Sequence, residues 1–164
     1  MNLYEATRDL HHACEAHPLG RKMVSGSVNA QEWADWLWSL RVLHQVTDPV
    51  LPEHMERDPF LAADLMALPR HNLIVSAVTS AATLAAEPSK LGAAYVLHGA
   101  HHSGGRVLAP KMAKRGLPTA HTCYKNPADA KAWLRDARVR VEFTKQARLT
   151  FASLLQIMDE ISGV

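Results

Sequence analysis

Apolar side chains in this chain recur every third or fourth residue and almost never at every second one. That period belongs to helices with one buried face; Val, Ile and Thr build no alternating run bounded by turns, so strands have no support. The pattern predicts a first helix from about Asn2 to Glu15, closed by His17-Pro18-Leu19-Gly20. A second starts near Asn29, places Trp33, Trp36, Leu37, Leu40, Leu43, His44 and Thr47 on one face, and fades before Asp48-Pro49. Pro59 opens a short helix that Pro69 ends, and an alanine-rich helix follows from roughly Arg70 to Ala86. A fifth runs from Ser89 through Tyr95 and His101 to about Arg115, with Gly99, Gly104 and Gly105 in its middle and Pro110 beyond them. An interior glycine costs about 1 kcal/mol relative to alanine, so this group marks a bend or a close approach. Asn126 is expected to cap a sixth helix with Pro127 at its first position. Ala147, Phe151, Leu154, Leu155, Met158 and Ile161 give the last helix its buried stripe. With no repeat and no linker, the expectation is an all-α helical bundle forming a single domain over residues 1–164.

Composition narrows the function classes. The 164 residues are 48% hydrophobic and 21% charged, the balance of a globular protein with a real core. A net charge of +2 gives no electrostatic footprint for nucleic acid. The opening MNLYEATRDLHH carries charges where a signal peptide needs an apolar run, and even the window from Leu73 to Ala86 is dotted with Ser and Thr, so neither secretion nor a membrane span is expected. The two cysteines, Cys14 and Cys123, are too few for a disulfide framework and too far apart for a CxxC site; they are expected to be free, buried thiols in a reducing cytoplasm. Ten histidines are the one compositional departure.

Three constellations carry candidate chemistry. His11 and Glu15 lie four apart and share a helical face. A neutral imidazole that binds iron through one nitrogen gives its other N–H to an acceptor, which Glu15 or a carbonyl one turn away would supply; a surface ion pair uses the same spacing. In HGAHHSGGRV, His98, His101 and His102 stand at i, i+3 and i+4, a pattern that suits zinc or copper, the lining of a heme pocket, or core-satisfied histidines. The adjacent Gly104-Gly105 would expose bare backbone to a flat ligand. Lys131 and Arg135, one turn apart, with Arg8 on the first helix, suit a dianionic ligand such as the two heme propionates, or a solubilising stripe. The groups Lys111-Lys114-Arg115 and Arg138-Arg140 look like solvated surface or a docking patch for an acidic redox partner. His17, His44, His54, His71 and His121 receive no role.

With these residues in place, the chain resembles a heme oxygenase. EATRDLHHACE at 5–15 is similar to the family's N-terminal helix, with His11 on the proximal iron ligand and Glu15 on the acid that accepts from it. YVLHGAHHSGGRVL at 95–108 resembles the distal helix, placing Tyr95, Ser103, Gly104 and Gly105 on matching positions. NPADAKAWLR at 126–135 looks like the segment that offers the propionates Lys131 and Arg135, and ARLTFASLLQIMDEI at 147–161 is similar to the closing helix, with Phe151 on a pocket aromatic. RDPFLAADLMAL between them reads like the connecting helix of bacterial members. One departure stands out: His101 falls where the mammalian type has an aspartate that orders the distal water, and Ala100 on the glycine before it.

The resemblance implies oxidative opening of heme to biliverdin, carbon monoxide and ferrous iron. His11 would hold the iron and Glu15 its other ring nitrogen. Gly104 and Gly105 would press backbone on the distal face, and Arg8, Lys131 and Arg135 would hold the propionates. His101, directly or through water, would replace the distal acid. Electrons would come from a ferredoxin, a flavodoxin or an NAD(P)H-linked reductase, since neither GxGxxG nor a P-loop is present. A second expectation keeps the heme without the reaction, with His11 and His101 or His102 as two axial ligands for sensing, buffering or transfer. A third is a non-heme di-iron oxygenase on the same fold, for which Glu53, His54, Glu56 and Asp64 are the available ligands.

Overall fold

The computed structural model describes residues 1–164 and contains helices and no strand. Helix α1 spans Leu3–Ala16, α2 Pro18–Ser25, α3 Ala30–Thr47, α4 Asp58–Met66, α5 Val75–Ala85, α6 Leu91–Gly99, α7 Gly105–Lys114, α8 Pro127–Arg138 and α9 Thr144–Ser162. A single π turn, Ala100–Gly104, joins α6 to α7. The all-α expectation is thus met, and no helix is long and apolar enough to cross a membrane.

Local chemistry fixes several boundaries. Asn2 and Glu5 exchange side-chain and backbone hydrogen bonds at 3.0 Å each, a capping box that starts α1, and Asn29 with Glu32 does the same for α3 at 2.8 and 3.2 Å. Helix α2 corrects the expectation that His17-Pro18-Leu19-Gly20 simply closes α1. The His17 ring accepts from the Leu19 N–H at 3.1 Å, Pro18 sits in the first turn, and Gly26 ends the helix in the left-handed region at φ +74°. The stretch from Arg70 to Ile74 is not helical, because tertiary partners claim it. Asp35 accepts from the Asn72 N–H at 2.7 Å, Gln31 donates to the Arg70 carbonyl at 3.0 Å, and α5 begins only where Glu160 of α9 caps the Val75 and Ser76 N–H groups at 2.7 and 2.8 Å. Asn126 precedes α8 without a capping side-chain bond.

Helices α3 and α9 form the spine. Helix α9 packs against α1, α6, α5 and α3, while α3 packs against α4, α5 and α6. One core of 21 buried residues draws on α1, α2, α3, α4, α5, α6, α7 and α9, with Trp33, Leu37, Leu97, Met112 and Ile157 near its middle. The indole N–H of Trp33 donates to the Pro118 carbonyl at 2.9 Å, so the largest core side chain also anchors the loop before α8. Trp38 stacks on His71 at 4.6 Å between ring centres. Cys14 is half-buried, and burial pushes its thiol up to about 12. Cys123 is exposed rather than buried, and both thiols are free.

Helices α1 and α2 meet so closely that a methyl group on Gly20 would lie 1.9 Å from the Cys14 carbonyl oxygen. Gly20→Ala should therefore lower stability by about 3 kcal/mol, the upper end of overpacking costs. Urea denaturation checks this; an unchanged midpoint would contradict the close approach.

Candidate functional site

On α1, His11 keeps the geometry that its spacing suggests. Its Nδ1 lies 3.4 Å from Glu15 Oε1, its side chain is 46% exposed, and its ring meets Phe151 of α9 edge-on at 6.0 Å. With Nδ1 turned to the carboxylate, Nε2 is left for another partner. Phe151 is buried, and Tyr95 on α6 is half-buried against the same core. Burial raises the Tyr95 hydroxyl pKa, while Arg138 pulls the other way.

The distal segment differs from expectation in which glycines are bare. A methyl group on Gly99 or Gly104 would meet nothing within 4 Å, whereas one on Gly105 would lie 2.8 Å from Thr122 Cβ. Neighbouring residues on a helix point about 100° apart, so Gly104 and Gly105 do not share a face. The i→i+5 turn at Ala100–Gly104 instead brings positions five apart towards one side, and π turns cluster at functional sites. Gly105 lets the helix close on the Thr122 loop; Gly99 and Gly104 are the open pair. Ser103 is exposed within the same turn.

Arg8, Lys131 and Arg135 are all exposed and make no hydrogen bond or ion pair with one another. Arg135 has only Asp136, at 3.6 Å, with about three quarters of its side chain, 74%, in solvent. The α8 cation that meets the first helix is Arg138, over the Tyr4 ring at 4.9 Å and close enough to Tyr95 to act on its hydroxyl. Arg138 is exposed, as its reading as solvated surface or a docking patch for an acidic redox partner expects, and its contact with Tyr4 is what that reading lacks.

His101 does not face open space. It is 3% exposed, and its Nε2 lies 2.7 Å from Nε2 of His44 on α3. His44 in turn donates through Nδ1 to Asp48 Oδ1 at 3.0 Å, and His98 donates to the same oxygen through Nε2 at 2.9 Å. The His98 Nδ1 accepts from the Tyr124 hydroxyl at 2.7 Å. Thr47 Oγ1 reaches Asp48 Oδ1 at 3.0 Å and the Arg57 N–H reaches Oδ2 at 2.8 Å. Hydrogen bonds from α3, α6, the π turn and the 116–126 loop therefore run towards one carboxylate. Burial works against the Asp48 charge, but the His44 and His98 N–H groups outweigh it and hold the carboxyl far below its usual range. The counter-charge is Arg57, fully buried at 0% exposure, whose guanidinium stacks 3.7 Å over the Tyr124 ring and donates to the carbonyls of Met55, His121 and Cys123 at 3.2, 3.1 and 2.8 Å.

A second buried pair lies alongside. Asp64 of α4 accepts from His121 Nδ1 at 2.6 Å and from the Ala120 and His121 N–H groups at 2.9 and 3.0 Å. This engagement corrects the di-iron ligand set: Asp64 belongs to His121, and Glu53, His54, Glu56 and Asp64 do not converge on one point. Two groups of His and acidic donors do converge within 4.8 Å, the exposed His11, His12 and Glu15 and the buried His44, Asp48 and His98. His44, Asp48, Arg57, His121 and Tyr124 are the residues to which the sequence pattern gave no role. His44-x3-Asp48 repeats the spacing of His11-x3-Glu15 at the end of a buried helix, a signal that was present.

Burial holds His98 at about 4 and lowers His101 and His121 as well, each from an ordinary value of 6.5. Between pH 6.5 and 4 the unfolded chain takes up protons that the folded core refuses, so stability falls as pH drops through that window. Each such histidine contributes a slope of up to about 1.4 kcal/mol per pH unit. Denaturant unfolding at pH 7, 6 and 5 should show a loss steeper than one histidine gives; a flat profile would contradict neutral buried imidazoles.

No protein-family model matches this chain, and no curated protein matches it.

Proposed function

We propose that the protein binds heme between α1 and the π turn and opens it oxidatively, as a heme oxygenase does. The observation that carries this reading is the state of His11: an imidazole with Nδ1 towards a carboxylate, Nε2 unengaged, and one side braced by a buried phenylalanine. An iron-ligating histidine needs an acceptor on its outer nitrogen, which sets tautomer and basicity, and Glu15 at 3.4 Å is near enough to become one. Gly99 and Gly104 supply the other requirement, backbone without side chains where a flat macrocycle lies close. Heme, as substrate and prosthetic group, supplies the oxygen chemistry, with electrons from an external donor.

The chain's own residues bind and orient. Helix α9 carries Phe151 under His11 and packs against both α1 and α6, so it sets the separation of the two helices. Arg138, over the Tyr4 ring and close to Tyr95, is the cation best placed for a carboxylate-bearing edge; Lys131 and Arg135 are exposed without such an aromatic contact. His101 supports the π turn from behind through His44 rather than presenting a free nitrogen. A two-imidazole heme would accordingly need His102, which is half-buried and faces the Lys131 and Arg106 charges. The oxygenase reading needs no second imidazole and is preferred.

Titration of the purified protein with hemin should saturate at one equivalent, and His11→Ala should lose the wild-type axial-ligand spectrum. Reduction in air should bleach the heme and leave a green bilin. An unaltered spectrum in His11→Ala, or heme that survives reduction in air, would reject the reading. Among the α8 cations, Arg138→Ala should weaken hemin binding by about tenfold, or ~1.4 kcal/mol, and Arg135→Ala by less. Fluorescence quenching by hemin measures both, and the reverse order would remove Arg138 from the site.

A further inference from the structure

We propose that His44, Asp48 and His98 bind a first-row divalent transition-metal ion, in a centre separate from the heme site. Three observations point there together. The donors are of the right kind and proximity: His44 Nδ1 and His98 Nε2 lie 3.0 and 2.9 Å from Asp48 Oδ1, and all three atoms fall within 4.8 Å of one another. Metal–ligand bonds of about 2.0–2.2 Å need donors only slightly further apart than this.

Each ligand also has an outer partner already in place. A ligating histidine must give its remaining N–H to an acceptor. For His98 that acceptor is the Tyr124 oxygen, 2.7 Å from Nδ1; for His44 it is His101 Nε2, 2.7 Å from Nε2. Asp48 Oδ2 is held by the Arg57 N–H at 2.8 Å, and Oδ1, which also accepts from Thr47 Oγ1 at 3.0 Å, would face the ion once the two imidazole protons turn outwards. Without metal, the same atoms are satisfied with both imidazole protons pointing at Asp48. With metal, each imidazole changes tautomer and donates outwards, and no proton need leave the core. The Tyr124 hydroxyl can serve His98 in either arrangement by turning its proton, and His101 serves His44 in the second by moving its own proton to Nδ1.

The third observation is an entry path. An open cavity of about 440 Å³ reaches His44 and Asp48, and its remaining walls include Glu53, Glu56 and Asp58. Asp58 is paired with Arg41 at 2.8 Å, so Glu53 and Glu56 are the carboxylates that draw cations towards the buried donors, and the cavity leaves room for water on the ion's open side. Two imidazoles, one carboxylate and open positions suit zinc, ferrous iron or cobalt. Residues from α3 and α6 meet at this point, so an ion there would brace the π turn that carries Gly104, without touching the heme face.

The test uses the whole 164-residue chain freed of heme and metal. After incubation with zinc and gel filtration, elemental analysis should find one equivalent retained, and cobalt should give a visible d–d absorption that zinc abolishes. Both signals should disappear in His98→Gln and persist in a His11→Ala, His12→Ala double variant, which removes the exposed donor group. Because the site lies in the core, Tyr124→Phe provides a second probe: it keeps the ring, removes only the outer acceptor, and should weaken zinc by about tenfold or more. Failure of the wild type to retain zinc, loss of zinc with the His11 and His12 substitutions, or full affinity in Tyr124→Phe would each overturn the assignment. None of these outcomes depends on hemin binding.

Discussion

A single buried carboxylate organises this molecule. Asp48 sits where α3 ends, charged in a place where charge is costly, and stays ionised because imidazole N–H groups from two helices, a threonine hydroxyl and a backbone N–H converge on it. Removing one partner of such a set leaves an unpaired charge in the core, a penalty far larger than a lost surface ion pair. The position of α6 relative to α3 is therefore tightly specified, and with it the π turn and its open glycine backbone. Arg57 extends the same constraint to the 116–126 loop by binding its carbonyls.

Two kinds of histidine among the ten bear on this arrangement. His44, His98, His101 and His121 are interior and hydrogen-bonded, and they hold elements together. His11 is on the outside of α1 with one nitrogen uncommitted, and Phe151 fixes its ring. An imidazole of the first kind would have to abandon a buried partner to ligate heme iron. His11 has nothing to give up, which is why the heme reading rests on it.

Much of the fold was legible in the sequence because helical periodicity and capping chemistry are local. Asn2-Glu5 and Asn29-Glu32 announce their helices, and the glycine group announces the break in the α6–α7 rod. What was not legible came from tertiary partners: Asp35 and Glu160, distant in sequence, decide where α5 begins. At the site, His11, Glu15 and Phe151 were readable from spacing and resemblance, and the structure places them side by side. The His44–His101 contact joins residues 57 positions apart, and no periodicity reports it. Gly105 was misplaced for a related reason, since only the position of Thr122 reveals which side of the helix is packed and which is open.

Paramagnetic broadening by bound ferric heme maps the ligand's position most directly. In ¹H–¹⁵N spectra of the hemin complex, the amide signals of Leu10, His11, Gly99 and Gly104 are expected to vanish, while those of α4 and α5 remain. Broadening centred on the His44 cavity, with the His11 and Gly104 signals intact, would contradict a heme held between the first helix and the π turn.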